Sequence, residues 1–252
     1  MAFSQRSLQR IAIAPDQPIT PQLHLNSAQH HYLTRVLRLT AGDRFIALGH
    51  DGQCWVMALT ADRAIAMVVE AIALPPPPTL SLTLLVAMPK GSGMDDIVRQ
   101  TTELGVTTLV PVVSDRTLLH PSPQKLERWR RIAQEATEQS ERAIIPEIWN
   151  PVPWAIALQQ MQGTQGYICV ARGDAPHLLT YLMQAGERVF EGRTVAIATG
   201  PEGGWTEAEI QQAETLGFQP ASLGRTILRA VTAPVVATSV AIAALEVSPD
   251  LM

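Results

Sequence analysis

The chain has 252 residues, 46% of them apolar, with 19 Lys and Arg against 23 Asp and Glu and a formal net charge of −4. That length fits one large domain or two ordinary ones, and the apolar share suffices for a core that folds without covalent staples. The mild acidity argues against a protein that coats nucleic acid by charge alone, while leaving room for an enzyme acting on one RNA.

In the first part of the chain, a helix about 27–37 interrupts β-rich runs at 44–48, 54–59 and 64–74, with Gly49-His50-Asp51-Gly52 as a turn. This content predicts a small β-barrel. Pro75, Pro76, Pro77 and Pro78 can continue neither a helix nor a strand ladder, so they predict a stiff linker between domains 1–74 and 79–252. There are 6 basic and 5 acidic residues before the linker and 13 and 18 after it, so the acidity belongs to the second domain. Only Lys90 and Lys125 are lysines; the other basic residues are arginines, which suit planar phosphate recognition and base stacking.

Beyond the linker, strand-like runs at 80–87, 108–113, 167–170 and 194–198 alternate with helical patterns, the signature of an α/β domain with a parallel sheet covered on both faces. Between 124 and 142, Leu126, Trp129, Ala133 and Ala136 recur at helical spacing, so an amphipathic helix is expected there. A helix at 232–245 is apolar nearly all round and must be buried on more than one side. Cys54 and Cys169 lie in strand-like runs without C-x-x-C spacing, and His30 and His31 lack companion ligands, so reduced core thiols and no metal site are expected. No charged-then-apolar leader opens the sequence, and no apolar run approaches the roughly 20 residues of a membrane span. A cytoplasmic protein away from membranes is expected.

The most telling segments lie near the C-terminus. Thr199-Gly200-Pro201-Glu202-Gly203-Gly204 follows an apolar strand and precedes Thr206-Glu207-Ala208-Glu209, a capping-box pattern. The glycines therefore occupy a strand-to-helix loop, where open α/β sheets bind ligands. Leu223-Gly224-Arg225-Thr226-Ile227-Leu228-Arg229 follows one short helix later. Neither a dinucleotide fingerprint nor a phosphate loop is present: after Gly91-Ser92-Gly93 the third glycine position holds Asp96, and no lysine follows Gly204. Glu202 inside the loop opposes a polyphosphate, so a ligand neutral or cationic in its reactive part is expected.

These segments, with Thr232-Ala233, Lys90-Gly91, Met94-Asp95, Thr102-Glu103-Leu104-Gly105-Val106, Lys125-Leu126-Glu127-Arg128-Trp129 and Glu135, Glu138-Gln139-Ser140, Arg142, resemble the RsmE family. The family comprises S-adenosylmethionine-dependent methyltransferases of the knotted SPOUT superfamily that methylate N3 of a uridine in small-subunit (16S) ribosomal RNA. His30-His31-Tyr32-Leu33 with Arg35-Val36-Leu37-Arg38 is similar to the family's N-terminal RNA-binding domain. The resemblance implies a PUA-like barrel followed by a SPOUT α/β domain with a trefoil knot, and a homodimer acting on ribosomal RNA or the assembled small subunit. One position departs: the family usually has Glu where this chain has Val231.

The resemblance places S-adenosylmethionine against Thr199, Gly200, Gly203, Gly204, Leu223, Gly224, Ile227 and Leu228. Because N3 of uracil carries a proton at neutral pH, a base or an anion stabiliser is required, and Glu202 and Arg229 are the candidates. Two plainer roles stand beside these: Glu202 as a cap on the following helix, and Arg229 as a loop brace paired with a carboxylate. Arg10, Arg35, Arg38, Lys90, Gln139 and Arg142 are the candidates for holding RNA. Other readings remain open at this point: an RNA- or cofactor-binding protein without methyl transfer, a methyltransferase for another RNA, and a nucleotide-phosphate enzyme.

Overall fold

A computed structural model describes residues 8–14, 16–19, 21–49, 52–72, 81–185 and 194–247. The described residues divide into two compact units, one drawn from Met1–Pro77 and Thr137–Ile145, the other from Pro78–Ala136 and Pro146–Met252. The proline run at 75–78 lies outside the described residues.

The first unit holds a five-stranded sheet in the order β1-β3-β4-β5-β2, formed by β1 (Arg10–Ala12), β2 (Gln22–His24), β3 (Arg44–Leu48), β4 (Cys54–Leu59) and β5 (Ile65–Ile72). β1 runs parallel to β3 while the other pairs are antiparallel, and a bulge at Val56/Met57 bends β4. Alternation along β3 splits its side chains between two clusters: Phe45 and Ala47 join Leu23, Leu33, Met57 and Leu59, whereas Ile46 and Leu48 join Cys54. The helix expected at 27–37 is α1 (Ser27–His31), started by an Asn26/Gln29 capping box and continued as a π-helical turn over Tyr32–Val36. Thr137–Ile145 joins this unit because Glu138 accepts from the Ala12 N–H at 2.7 Å, Glu141 pairs with Arg10 at 3.1 Å, and Ala143 packs beside Ile46, Leu48 and Cys54. The segment thus differs from the expected bounds, which place it within 79–252.

The second unit is built on a parallel sheet in the order β12-β10-β11-β6-β7-β8, with β9 also on β7. Its strands are β6 (Ser81–Ala87), β7 (Thr108–Val113), β8 (Glu147–Ile148), β9 (Val152–Pro153), β10 (Gln165–Cys169), β11 (Thr194–Thr199) and β12 (Gln219–Ala221). The helices are α2 (Gly93–Leu104), α3 (Pro123–Gln139), α4 (Trp154–Gln160), α5 (Leu178–Ala185), α6 (Glu207–Thr215) and α7 (Thr232–Glu246). Leu84, Leu85, Val86 and Ala87 are all buried, as a strand covered on both faces requires. Leu85 and Ala87 pack with Trp154, Ala157 and Leu158 of α4 and Ala213 of α6, while α7 meets α2, α5, β6 and β11. Parallel pairing of β12, β10, β11, β6 and β7 brings all their carboxyl ends to one edge.

Candidate functional site

Four of these carboxyl ends supply the walls of one cavity of about 910 Å³. The segment after β10 contributes Ala171 and Arg172, the loop after β11 contributes residues 200–205, and the segment after β12 contributes Leu223, Gly224 and residues 226–231. From the turn after β7 comes Arg116. The volume lies within the range of small-molecule sites, and the position matches the ligand edge of open α/β sheets.

The loop after β11 is shaped by contacts on each side. The Gly204 N–H donates to Pro201 O at 2.9 Å, closing a turn that presents Glu202 and Gly203. A Cβ on Gly203 would lie 2.9 Å from Cδ of Arg116, so only glycine fits without displacing that side chain. Arg116 Nη1 donates to Gly203 O and, at 3.5 Å, to Trp205 O. Trp205 stacks on Trp154 with ring centroids 4.5 Å apart and donates its indole N–H to Cys169 O at 3.2 Å. The helix that follows starts from a Thr206/Glu209 capping box, and Glu209 also accepts from the Asp115 N–H at 2.9 Å. Capping is therefore done by Thr206 and Glu209, not by Glu202.

Instead, Glu202 Oε1 accepts from the Lys90 N–H at 2.9 Å, joining the glycine loop to the segment after β6. The same segment is gripped from α3: Lys125 Nζ donates to Gly91 O at 2.7 Å, while Arg128 Nε and Trp129 Nε1 donate to the two oxygens of Asp95 at 2.8 and 3.0 Å. Arg229 is exposed at the cavity and, among the described residues, forms no ion pair; its backbone carbonyl accepts from Thr232 and Ala233 at the start of α7. Gly224 has φ +125°, in the region that favours glycine.

The sequence-selected cofactor residues largely converge. Gly200, Gly203, Gly204, Leu223, Gly224, Ile227 and Leu228 all line the cavity, with Glu202 and Arg229 among them. Thr199 is fully buried one residue before Gly200, and its Oγ1 has no hydrogen-bond partner among the described residues. Lys90 sits beside Glu202 on the same sheet edge. Arg10, Arg35, Arg38, Gln139 and Arg142 belong to the first unit, where Arg35 and Arg38 are exposed and Arg10 is engaged by Glu141. Burial lowers the pKa of the Arg142 guanidinium.

Sequence reading missed Arg116 and Arg172. Both follow strand-like runs at their carboxyl ends, the same signal that singled out Lys90. With Arg229 they make three cationic groups around the single carboxylate of Glu202, so the cavity walls carry a positive excess. An anionic portion of a ligand is thereby accommodated, which Glu202 viewed alone did not suggest. Among the described residues no cluster of three or more His, Cys, Asp and Glu is placed to hold a metal, and no helix is long and apolar enough to cross a membrane.

The family model for the RNA methyltransferase domain matches residues 75–242. Over 94% of its length the chain is 44% identical to ribosomal RNA small subunit methyltransferase E of Synechocystis sp., covering 78% of that protein. The chain belongs to the ribosomal RNA small subunit methyltransferase E family. The Bacillus subtilis methyltransferase E is 27% identical over 94% of this chain and 93% of its own length. A methyltransferase E crystal structure from Neisseria gonorrhoeae, bound to S-adenosyl methionine, matches with TM-score 0.81 and 27% identity, covering 92% of this chain and 95% of that one.

The cavity suits S-adenosylmethionine on chemical grounds. Leu223, Ile227 and Leu228 offer apolar walls, the glycine turns let backbone approach closely, and the positive excess of the walls complements a carboxylate. Val231 also lines the cavity, and its Cγ1 lies 2.5 Å from where a Cβ on Gly93 would be. Its side chain thus packs on the first turn of α2.

Proposed function

We propose that this protein transfers a methyl group from S-adenosylmethionine to N3 of a uridine in small-subunit ribosomal RNA. The observation that carries the reading is the cavity itself: the glycine turns after β11 and β12 both line it at the sheet edge, the first contributing Glu202 and the second Arg229. Membership of the methyltransferase E family supports the substrate class.

S-adenosylmethionine, when bound, supplies a methyl group already activated by its sulfonium. The chain's task is then alignment and management of one proton. Glu202 is held through Oε1 by the Lys90 N–H, which leaves its second oxygen to accept the N3 proton as the N3–methyl bond forms and the sulfur–methyl bond breaks. Arg229, free of ion pairs among the described residues, stabilises the negative charge that develops on a uracil oxygen.

The same reading assigns the first unit's sheet to a PUA-like RNA-binding barrel, with exposed Arg35 in the π-helical turn and exposed Arg38 just beyond it as its phosphate contacts. Arg10, Gln139 and Arg142 are assigned to RNA contact as well, and so is Lys90 beside the cavity. The α/β unit is assigned a SPOUT-type knot in which the segment after β12 is threaded. Homodimer formation through α7 is supported by Val235, Val236 and Val240, which stay only half-buried on a helix that is apolar nearly all round. The reaction is assigned to the cytoplasm, where the small subunit is assembled.

Purified protein, S-adenosylmethionine and small subunits from cells lacking the activity form the direct test. The reading requires 3-methyluridine in the RNA digest. Cofactor binding without any methyl transfer would establish a binding protein instead, and transfer to another RNA alone would change the substrate.

A further inference from the structure

The geometry points to Arg116 as a positioning residue that sets the shape of the glycine loop from the turn after β7, an inference that rests on the S-adenosylmethionine reading. Three observations converge on it. Its Nη1 donates to the carbonyls of Gly203 and Trp205, so one cation fixes two successive features of the loop. Its aliphatic stem lies against Gly203, with Cδ and Cβ at 2.9 and 3.4 Å from where a Cβ would sit. Among the described residues no carboxylate forms an ion pair with it, so its charge is directed to those carbonyls and to the cavity it lines.

The arginine is itself held in place. The Ser114 N–H and hydroxyl both engage Thr117 Oγ1, and the Asp115 N–H donates to Glu209, which in turn accepts from the Thr206 N–H at 2.8 Å. The turn after β7 is thus pinned to the start of α6, immediately beyond the loop that Arg116 grips. A guanidinium offers several donors in a fixed plane, whereas a lysine ammonium on a flexible stem lacks that preset geometry. Arg116 therefore orients the Pro201–Gly204 turn, and through Glu202 the Lys90 amide, before the cofactor arrives.

Two measurements on the full chain test this. In a titration of S-adenosylmethionine, Arg116→Ala and Gly203→Ala should each weaken binding about 10-fold, while the double variant should resemble Arg116→Ala alone, because the added methyl no longer meets the arginine stem. Arg116→Lys should fall between wild type and Arg116→Ala, with the rate at saturating cofactor changed less than the affinity. The second measurement needs no ligand: amide hydrogen exchange of the peptide spanning residues 199–206 should quicken about 10-fold in Arg116→Ala or Arg116→Gln, with thermal unfolding unchanged. Full additivity in the double variant, or wild-type exchange in the loop, would overturn the inference. A wild-type protein that fails to bind S-adenosylmethionine would defeat the functional reading instead, and the exchange experiment would still decide the role of Arg116.

Discussion

Replacing Glu202 with Gln keeps an oxygen for the Lys90 amide but removes the carboxylate, so loop support and proton acceptance are read separately. S-adenosylmethionine affinity should stay near wild type while the single-turnover methyl-transfer rate falls about 10²-fold, with partial recovery as pH rises and uridine ionises unaided. A wild-type rate and pH profile would confine Glu202 to bracing the Lys90 segment. Cys169 provides a second test at this scale. Burial pushes its thiol up to about 12 from an ordinary 9.0. Above pH 9 the unfolded chain therefore loses this proton while the folded chain keeps it, so stability falls as pH rises towards 12 and is unaffected below 9. The difference in unfolding temperature between wild type and Cys169→Ala should be constant below pH 9 and shrink above it; a constant difference to pH 11 would contradict the burial. The glycines and Glu202 were legible because a strand, a turn and a capping box are written contiguously. Arg116 and Arg172 were not read, because what makes them cavity residues is the adjacency of strands far apart in the chain.

At the scale of elements, Asp95 links the first turn of α2 to α3 through Arg128 and the fully buried Trp129. Asp95→Ala leaves a buried indole N–H without its acceptor and should cost about 1–3 kcal/mol in urea unfolding. Asp95→Asn keeps that acceptor and loses mainly the ion pair to an exposed Arg128, so a cost of about 1 kcal/mol or less is expected. Equal costs would show that the indole bond contributes little. Long periodic elements were readable: α3 and α7 lie within a few residues of their expected bounds, since burying Trp129, Ala133 and Ala136 demands that spacing. The two-residue β8 and β9 and the three-residue β1, β2 and β12 were not, because such short segments are defined by their partners rather than by their own pattern. The π-helical turn at Tyr32–Val36 was likewise hidden, since one wider turn leaves helical periodicity almost unchanged.

For the whole molecule, the alternation of strands and helices after the proline run was enough to predict a parallel sheet, and the β-rich first part predicted a separate unit. That Thr137–Ile145 belongs with the first unit was invisible to a reading that cuts the chain once, because Glu138, Glu141 and Ala143 reveal their partners only in three dimensions. Division of labour between the units predicts that combined Arg35→Ala and Arg38→Ala changes weaken RNA binding and flatten its salt dependence by about two phosphate contacts, leaving S-adenosylmethionine affinity intact. Titrations at several salt concentrations check this, and an unaltered slope would move the RNA footprint off these arginines. The central claim is tested most directly by mass spectrometry of small-subunit ribosomal RNA from cells with and without this protein. The account predicts that one 3-methyluridine present in the parent is lost on deletion and restored by the wild-type chain but not by Glu202→Gln. An unchanged set of methylated uridines after deletion would contradict it.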